Sequence, residues 1–186
     1  MTARSHPWAD TFGSERVALS DGAEMTLRAL AEADGESLAA FYDAVPREDN
    51  FYYAPHPLTR DEAMKKAARA TDPRFVCLVL EDDAAAIAGY AWFGWRADGD
   101  RASSFGICVR REHQGLGAGR ALMTRIVALS RTIGPGVISL TVQKSNDRAF
   151  ALYRKMGFEV VREQRRASDG EPEYYMELEL GGHDRE

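Results

Sequence analysis

The chain is short of cysteine and histidine: two Cys and four His in 186 residues. Neither cysteine belongs to a CxxC pair, and no HExxH or paired-histidine motif occurs, so a structural zinc site is excluded. Cys77 and Cys108 each sit inside an apolar run, Phe75-Val-Cys-Leu-Val-Leu80 and Phe105-Gly-Ile-Cys-Val109, and read as small buried thiols rather than a disulfide or a nucleophile. No apolar stretch approaches the roughly 20 residues of a membrane helix, so no membrane partner is expected. Met1 to Asp10 has no apolar core, so a secretory leader is not expected and the reducing cytoplasm is the expected location. Basic residues are outnumbered, 24 to 29, for a formal charge of −5; a nucleic-acid surface is not the expected main partner, and a cationic small substrate is mildly favoured.

What is present is one domain's worth of apolar pattern, 45% hydrophobic and 28% charged, without repeats or low-complexity tracts. Residues 1–16 are polar and aperiodic and read as a loose arm, 17–181 as a single domain and 182–186 as a tail. Val17 to Leu19 and Ala23 to Arg28 read as strands about an Asp21-Gly22 turn. Glu36 to Val45 reads as a helix that stops before Pro46. Arg47 to Pro57 reads as an aromatic-rich loop, and Thr59 to Glu62 as a capping box opening a helix to about Ala70.

Phe75 to Leu80, Ile87 to Trp95 and Ser103 to Val109 then read as strands of an antiparallel meander. Leu122, Ile126, Leu129 and Ile133 recur at i, i+4, i+7 and i+11, one face of a helix ending at Gly134-Pro135-Gly136. Val137 to Val142 is a strand, Asn146 to Met156 a helix closed by Gly157, and Phe158 to Arg166 with Tyr174 to Leu180 a last hairpin. The fold class is therefore mixed α+β, with Ser103–Val109, a helix and Val137–Val142 forming a right-handed parallel crossover.

The sharpest local feature is Gln114-Gly-Leu-Gly-Ala-Gly119 between a strand and an amphipathic helix. Glycines at 115, 117 and 119 permit a tight turn and expose amides at a helix start, which favours an anion such as phosphate. A tight turn that binds nothing is the plain alternative. A P-loop would need Gly-Lys-Ser/Thr, and here Gly119 precedes Arg120-Ala121. A dinucleotide site would need a third glycine at position 120 and a later acid, and both are missing.

Val109-Arg-Arg-Glu-His-Gln-Gly-Leu-Gly-Ala-Gly-Arg-Ala-Leu122 resembles the Q/R-x-x-G-x-G/A signature of the GNAT N-acetyltransferases. Ser145-Asn146-Asp-Arg-Ala149-Phe-Ala-Leu152-Tyr153-Arg-Lys-Met-Gly157-Phe158 is similar to that family's second block, at a fitting distance. The resemblance implies a central, mostly antiparallel sheet with one splayed parallel pair and helices on both faces. It implies acetyl-CoA as acyl-donor cosubstrate, bound in the splay beside the backbone of Ile107 and Val109. The pyrophosphate would lie on Gln114, Gly115, Leu116, Gly117, Ala118 and Gly119, with Arg120 as charge partner. Asn146 would contact the cofactor arm, or serve only as a helix cap. Tyr153 would protonate the leaving thiolate, or be a core tyrosine.

The implied activity is direct transfer of an acetyl group to a primary amine, a small molecule or a peptide N-terminus. A non-catalytic acyl-CoA-binding module is the alternative, because the strand Ser103–Val109 carries no carboxylate to act as base. Water relayed from Glu48, Asp49, His56 or the Ser168–Glu171 loop could replace it. Glu48, Asp49, Phe51 and Tyr52 are the candidate acceptor-binding residues, acid and aromatic surface suited to an amine on an apolar body. The long, partly apolar last strand, Tyr174 to Leu180, is expected to be covered by a second copy in a homodimer.

Overall fold

The computed structural model describes residues 12–53 and 55–181. β1 (Ser14–Ala18) and β2 (Glu24–Ala29) form the first hairpin, with Asp21 Oδ1 accepting the Ala23 amide at 3.1 Å in the turn. The strand starts before residue 17 because Ser14, Glu15 and Arg16 already pair with Arg28, Leu27 and Thr26. Residues 1–11 of the expected arm and 182–186 of the expected tail lie outside the described residues.

α1 (Gly35–Ala44) ends at Val45, extended as the residue before a proline must be. The stretch read as a loop holds one helical turn, α2 (Arg47–Asn50). α3 (Arg60–Ala68) opens where the Thr59 hydroxyl accepts the Glu62 amide at 3.3 Å. β3 (Phe75–Glu81), β4 (Ile87–Gly94) and β5 (Ala102–Val109) form the meander, and α4 (Ala118–Ser130) carries the chain back to β6 (Val137–Gln143), parallel to β5. α5 (Asp147–Lys155), β7 (Glu159–Arg165) and β8 (Pro172–Glu179) complete one sheet of eight strands, β1-β2-β3-β4-β5-β6-β8-β7.

The sheet divides two cores. Along β3, Val76, Leu78 and Leu80 face Leu122, Met123 and Ile126 of α4, while Phe75, Cys77 and Val79 face Leu38, Phe41 and Ala63 of α1 and α3. Alternate residues of a strand point to opposite faces, so an unbroken apolar run is what a doubly covered strand requires. Each fully buried Leu or Phe stabilises by roughly 1.5–3 kcal/mol, which outweighs a helix cap at about 1 kcal/mol. The β6-β8-β7 end differs. Leu140, Val142, Met176 and Leu178 face the α4–α5 side, and Thr141, Gln143, Glu173 and Tyr175 take the other.

The last strand is not an edge. β8 pairs with β6 from Val137–Glu179 to Gln143–Glu173 and with β7 on its other side. The reason for expecting a second copy to cover it therefore falls away. β7 is the edge, with Val160 and Val161 exposed.

Candidate active site

The parallel pair is joined over three residues only, Ala102, Ser103 and Ser104 against Val137, Ile138 and Ser139. Beyond Ser104 the two strands diverge, and a cleft of about 1170 Å³ lies along the free edge of β5. Arg110 donates its amide to Ala88 O at 2.8 Å, so Cys108 and Gly106 turn toward β4 in the alternating ladder. Phe105, Ile107 and Val109 then present their backbone groups to the open side. Gly106 has its own reason: a Cβ there would stand 2.5 Å from Trp92 Nε1.

The glycine-rich turn closes one end of the cleft. Gly117 caps α4 with φ +105°, a backbone L side chains rarely adopt, and provides no side-chain acceptor for the first-turn amides. α3 and α5, in contrast, have Thr59 and Asn146 in that role. Gln114, Gly115, Gly117, Gly119 and Arg120 line the cleft, while Leu116 and Ala118 turn their side chains into the core. Gln114 Nε2 donates to Val109 O at 2.9 Å and its Oε1 accepts from Arg148 at 2.8 Å, fastening the turn to β5 and to α5. Arg120, Arg148 and Lys155 line the cleft without a carboxylate partner among the described residues.

Asn146 lines the cleft and also caps α5, its Oδ1 accepting the Ala149 amide at 3.1 Å. Tyr153 projects from α5 into the splay. Its ring packs edge-on against Phe105 at 6.3 Å and tilted against Phe158 at 5.8 Å, and burial holds its phenol well above the ordinary value. Cys108 borders the same cleft, and burial pushes its thiol up to about 12, so it offers no thiolate at neutral pH.

The four expected acceptor residues part company. Asp49 accepts a forked pair of bonds from Arg111, at 3.1 and 2.6 Å, and Glu48 pairs with the same guanidinium at 3.1 Å. Both carboxylates thereby share one guanidinium within the chain. Tyr52 borders the cleft and a second, smaller cavity. Phe51 lies under Arg166 at 5.0 Å, and its carbonyl accepts from Gln143 Nε2 and Arg166 Nη1 at 2.6 and 2.9 Å, clasping this loop over the splay. Behind it, Tyr53 Oη lies 2.9 Å from His56 Nε2 and accepts from Trp92 Nε1 at 3.2 Å, and Tyr90 Oη donates to it. Burial, and secondarily the charge of Lys66, lowers His56 to about 4, so it is neutral near pH 7.

The smaller cavity, about 30 Å³, lies between β5 and β6 on the far side of Tyr153. Tyr52, Tyr53, Phe105, Ile107, Tyr153, Gln143 and Glu173 border it. Glu173 is a carboxylate that sequence reasoning did not single out within the last hairpin, because in Glu173-Tyr-Tyr-Met-Glu-Leu178 it reads as the polar side of an amphipathic strand. The one available signal was Gln143, a polar residue closing the apolar run Val137 to Val142.

Residues 38–158 match the acetyltransferase (GNAT) family. Over 140 residues the chain is 27% identical to the L-amino acid N-acyltransferase MnaT of Escherichia coli (strain K12), covering 74% of this chain and 81% of that protein. It is 32% identical over 145 residues to mycothiol acetyltransferase of Stackebrandtia nassauensis, covering 69% of this chain but 47% of that protein, about half its length. In architecture it is similar to the GNAT domain of PAT from S. lividans, with a TM-score of 0.74, 21% identity and coverage of 89% and 96%. It is similar also to yncA from Salmonella typhimurium, solved with its cofactor acetyl-CoA, at 0.71, 24%, 86% and 95%.

Proposed function

The chain belongs to the acetyltransferase (GNAT) family, and from that premise we propose that it carries acetyl from acetyl-CoA directly to the primary amine of a small molecule, with Tyr153 as general acid. The observation that supports this most is the splay itself. A free β edge, an uncapped 13-residue helix start and three cations without carboxylate partners converge on one cleft whose inner end is Tyr153. Those groups fit acetyl-CoA. The pantetheine amides would add to the edge of β5 at Ile107 and Val109. The phosphates would take the amides from Gly115 to Gly119 and the charge of Arg120.

Acetyl-CoA supplies a thioester, an acyl group on a good leaving thiol. Transfer to an amine forms one N–C bond and breaks one C–S bond. Tyr153, still protonated near pH 7, can deliver its proton to the departing sulfur. Cys108 stays a thiol, which disfavours an acyl-enzyme intermediate and favours direct attack. The acceptor class is drawn from the family and from relatives such as the L-amino acid N-acyltransferase. Cytoplasmic residence stays part of the proposal; no helix among the described residues is long and apolar enough to cross a membrane.

The test is a panel of primary amines and peptide N-termini mixed with acetyl-CoA and read by thiol release. Amine-dependent release with acetylated product supports the reading. Tight acetyl-CoA binding with no acceptor turned over would instead leave an acyl-CoA-binding module.

A further inference from the structure

Gln143 and Glu173 are each 4% exposed, and both border the cavity beyond Tyr153. Gln143 Nε2 donates to Phe51 O at 2.6 Å. A carbonyl can only accept, so this bond fixes which way the amide points. Its Oε1 is left buried with no partner. Directly opposite Gln143 across β6 and β8 stands Glu173, and opposite Glu173 across β8 and β7 stands Gln164, which donates Nε2 to Glu173 Oε1 at 2.6 Å. The three side chains form a row on one face of the sheet. Arg166, the nearby cation that feels the charge of Glu173, is itself bound to Asp169 and the Phe51 carbonyl. The row therefore presents two buried acceptors, one of them a carboxylate with no salt bridge among the described residues.

We propose that this cavity seats the ammonium of the acceptor, hydrogen-bonded to Gln143 Oε1 and to the Glu173 carboxylate, and that Glu173 takes the proton that must leave before nitrogen can attack. The inference rests on the acetyltransferase reading and gives it the base that β5 lacks. Size agrees: about 30 Å³ holds a group of one or two water diameters, hence a –CH₂–NH₃⁺ head but not a trimethylammonium. The walls agree as well, since the aromatic residues Tyr52, Tyr53, Phe105 and Tyr153 all border the cavity.

The balance closes. Nitrogen sheds two protons as N–C forms and C–S breaks. One leaves to water by way of Glu173; the other replaces the proton that Tyr153 gives to sulfur.

Two readouts on the full chain separate this proposal from the reading beneath it. In the first, the side-chain amide resonance of Gln143 is followed by NMR while methylammonium or tetramethylammonium chloride is added. Saturable shifts with methylammonium alone, weakened at least tenfold in Glu173→Gln, are expected. No selective response, as when a buried water serves Gln143, overturns the ammonium site whatever the activity. In the second, Glu173→Gln, which can still accept from Gln164, is assayed with acetyl-CoA and n-butylamine, spermidine or L-methionine. Its rate should fall about 10²–10⁴-fold with acetyl-CoA affinity unchanged. It should recover as pH approaches the amine's own pKa; Tyr52, Tyr53 and Tyr153 around the cavity and Arg166 beside Glu173 are the other titratable or charged groups there. Wild-type turnover in Glu173→Gln removes the base and leaves the acetyltransferase standing. Methylammonium binding with no amine turned over removes the acetyltransferase reading, and the base with it.

Discussion

The two cavities that meet at Tyr153 are opposites in hydrogen-bond character. Apart from Asp49 and Asp147, the large cleft is lined by donors: the first amides of α4 and the charges of Arg120, Arg148 and Lys155, which have no carboxylate partner among the described residues. The small one is lined by acceptors, Gln143 Oε1 and Glu173. They share Tyr52, Tyr53, Ile107 and Tyr153 as a common wall. A polyanionic acyl donor and a cationic acceptor can therefore each find the matching side, with the reacting atoms meeting at the phenol. The net charge of −5 conceals this division, because one sign of charge is gathered at one end of the splay and the other sign at the other.

The largest effect should come at the boundary. Tyr153→Phe keeps the ring contacts with Phe105 and Phe158 and removes only the hydroxyl. The rate should drop about 10²–10⁴-fold while thermal stability and acetyl-CoA affinity change little. Steady-state kinetics beside a thermal melt make the check; full turnover would end the acid role. On the donor side, Gly117→Val forces a branched side chain to φ +105°, although a Cβ there meets open space. The strain, roughly 1–3 kcal/mol, should displace the first amides of α4 and weaken acetyl-CoA binding at least tenfold. Gly117→Asn, which reaches positive φ more readily than a β-branched residue, should lose less than Gly117→Val. Calorimetric titration that finds Gly117→Val binding as wild type would dismiss the turn as an anion site.

These expectations stand on unequal footing in the sequence. The elements of the donor side were legible because they are local: Gln114 to Gly119 and Asn146 to Tyr153 are short runs that resemble the family's two blocks, and both border one cleft. The meander was legible too, since β3 is an apolar run bounded by turns. On the acceptor side, Asp49 and Tyr52 do border the cleft, but Gln143 and Glu173 could not be singled out, because they are brought together by register. Glu173 is buried only because β8 inserts between β6 and β7, and strand order cannot be read from a hairpin pattern. The same insertion removes the ground on which a homodimer was expected. Glu48 and Asp49 looked free because Arg111 lies 62 residues beyond Asp49.

The wall behind the acceptor cavity should register in stability against pH. His56 is lowered from 6.5 to about 4 in the folded protein, chiefly by burial, so the unfolded chain takes up its proton first on acidification. Stability should hold above pH 6.5 and decline as pH falls toward 4, by about 2 kcal/mol once partial solvent exposure is discounted. On the alkaline side Lys66, caged by Trp92 at 4.3 Å and Phe75 at 5.2 Å, is lowered from 10.5 to about 8 by burial. Its contribution should therefore rise with pH between about 8 and 10.5. Urea unfolding across both windows tests this: His56→Gln should flatten the acid limb alone, whereas Lys66→Met should flatten the alkaline limb and also soften the acid one, because the charge of Lys66 helps lower His56.

The smallest effect separates the two roles of Asn146. Asp is as good a helix cap as Asn, and its charge sits well at a helix start, so Asn146→Asp should keep the Ala149 bond and shift stability by no more than about 0.5 kcal/mol. It also replaces an amide donor with an anion on the donor-lined cleft. Acetyl-CoA affinity should then fall roughly 3–10-fold, and high salt should recover part of the loss because the added charge is screened. Asn146→Ala should do the reverse on stability, losing about 1 kcal/mol of cap while leaving no new charge. If Asn146→Asp instead binds acetyl-CoA as tightly as wild type at low salt, the side-chain nitrogen donates nothing to the ligand. Asn146 would then be a cap alone, and the donor character of the cleft would rest on α4 and its cations.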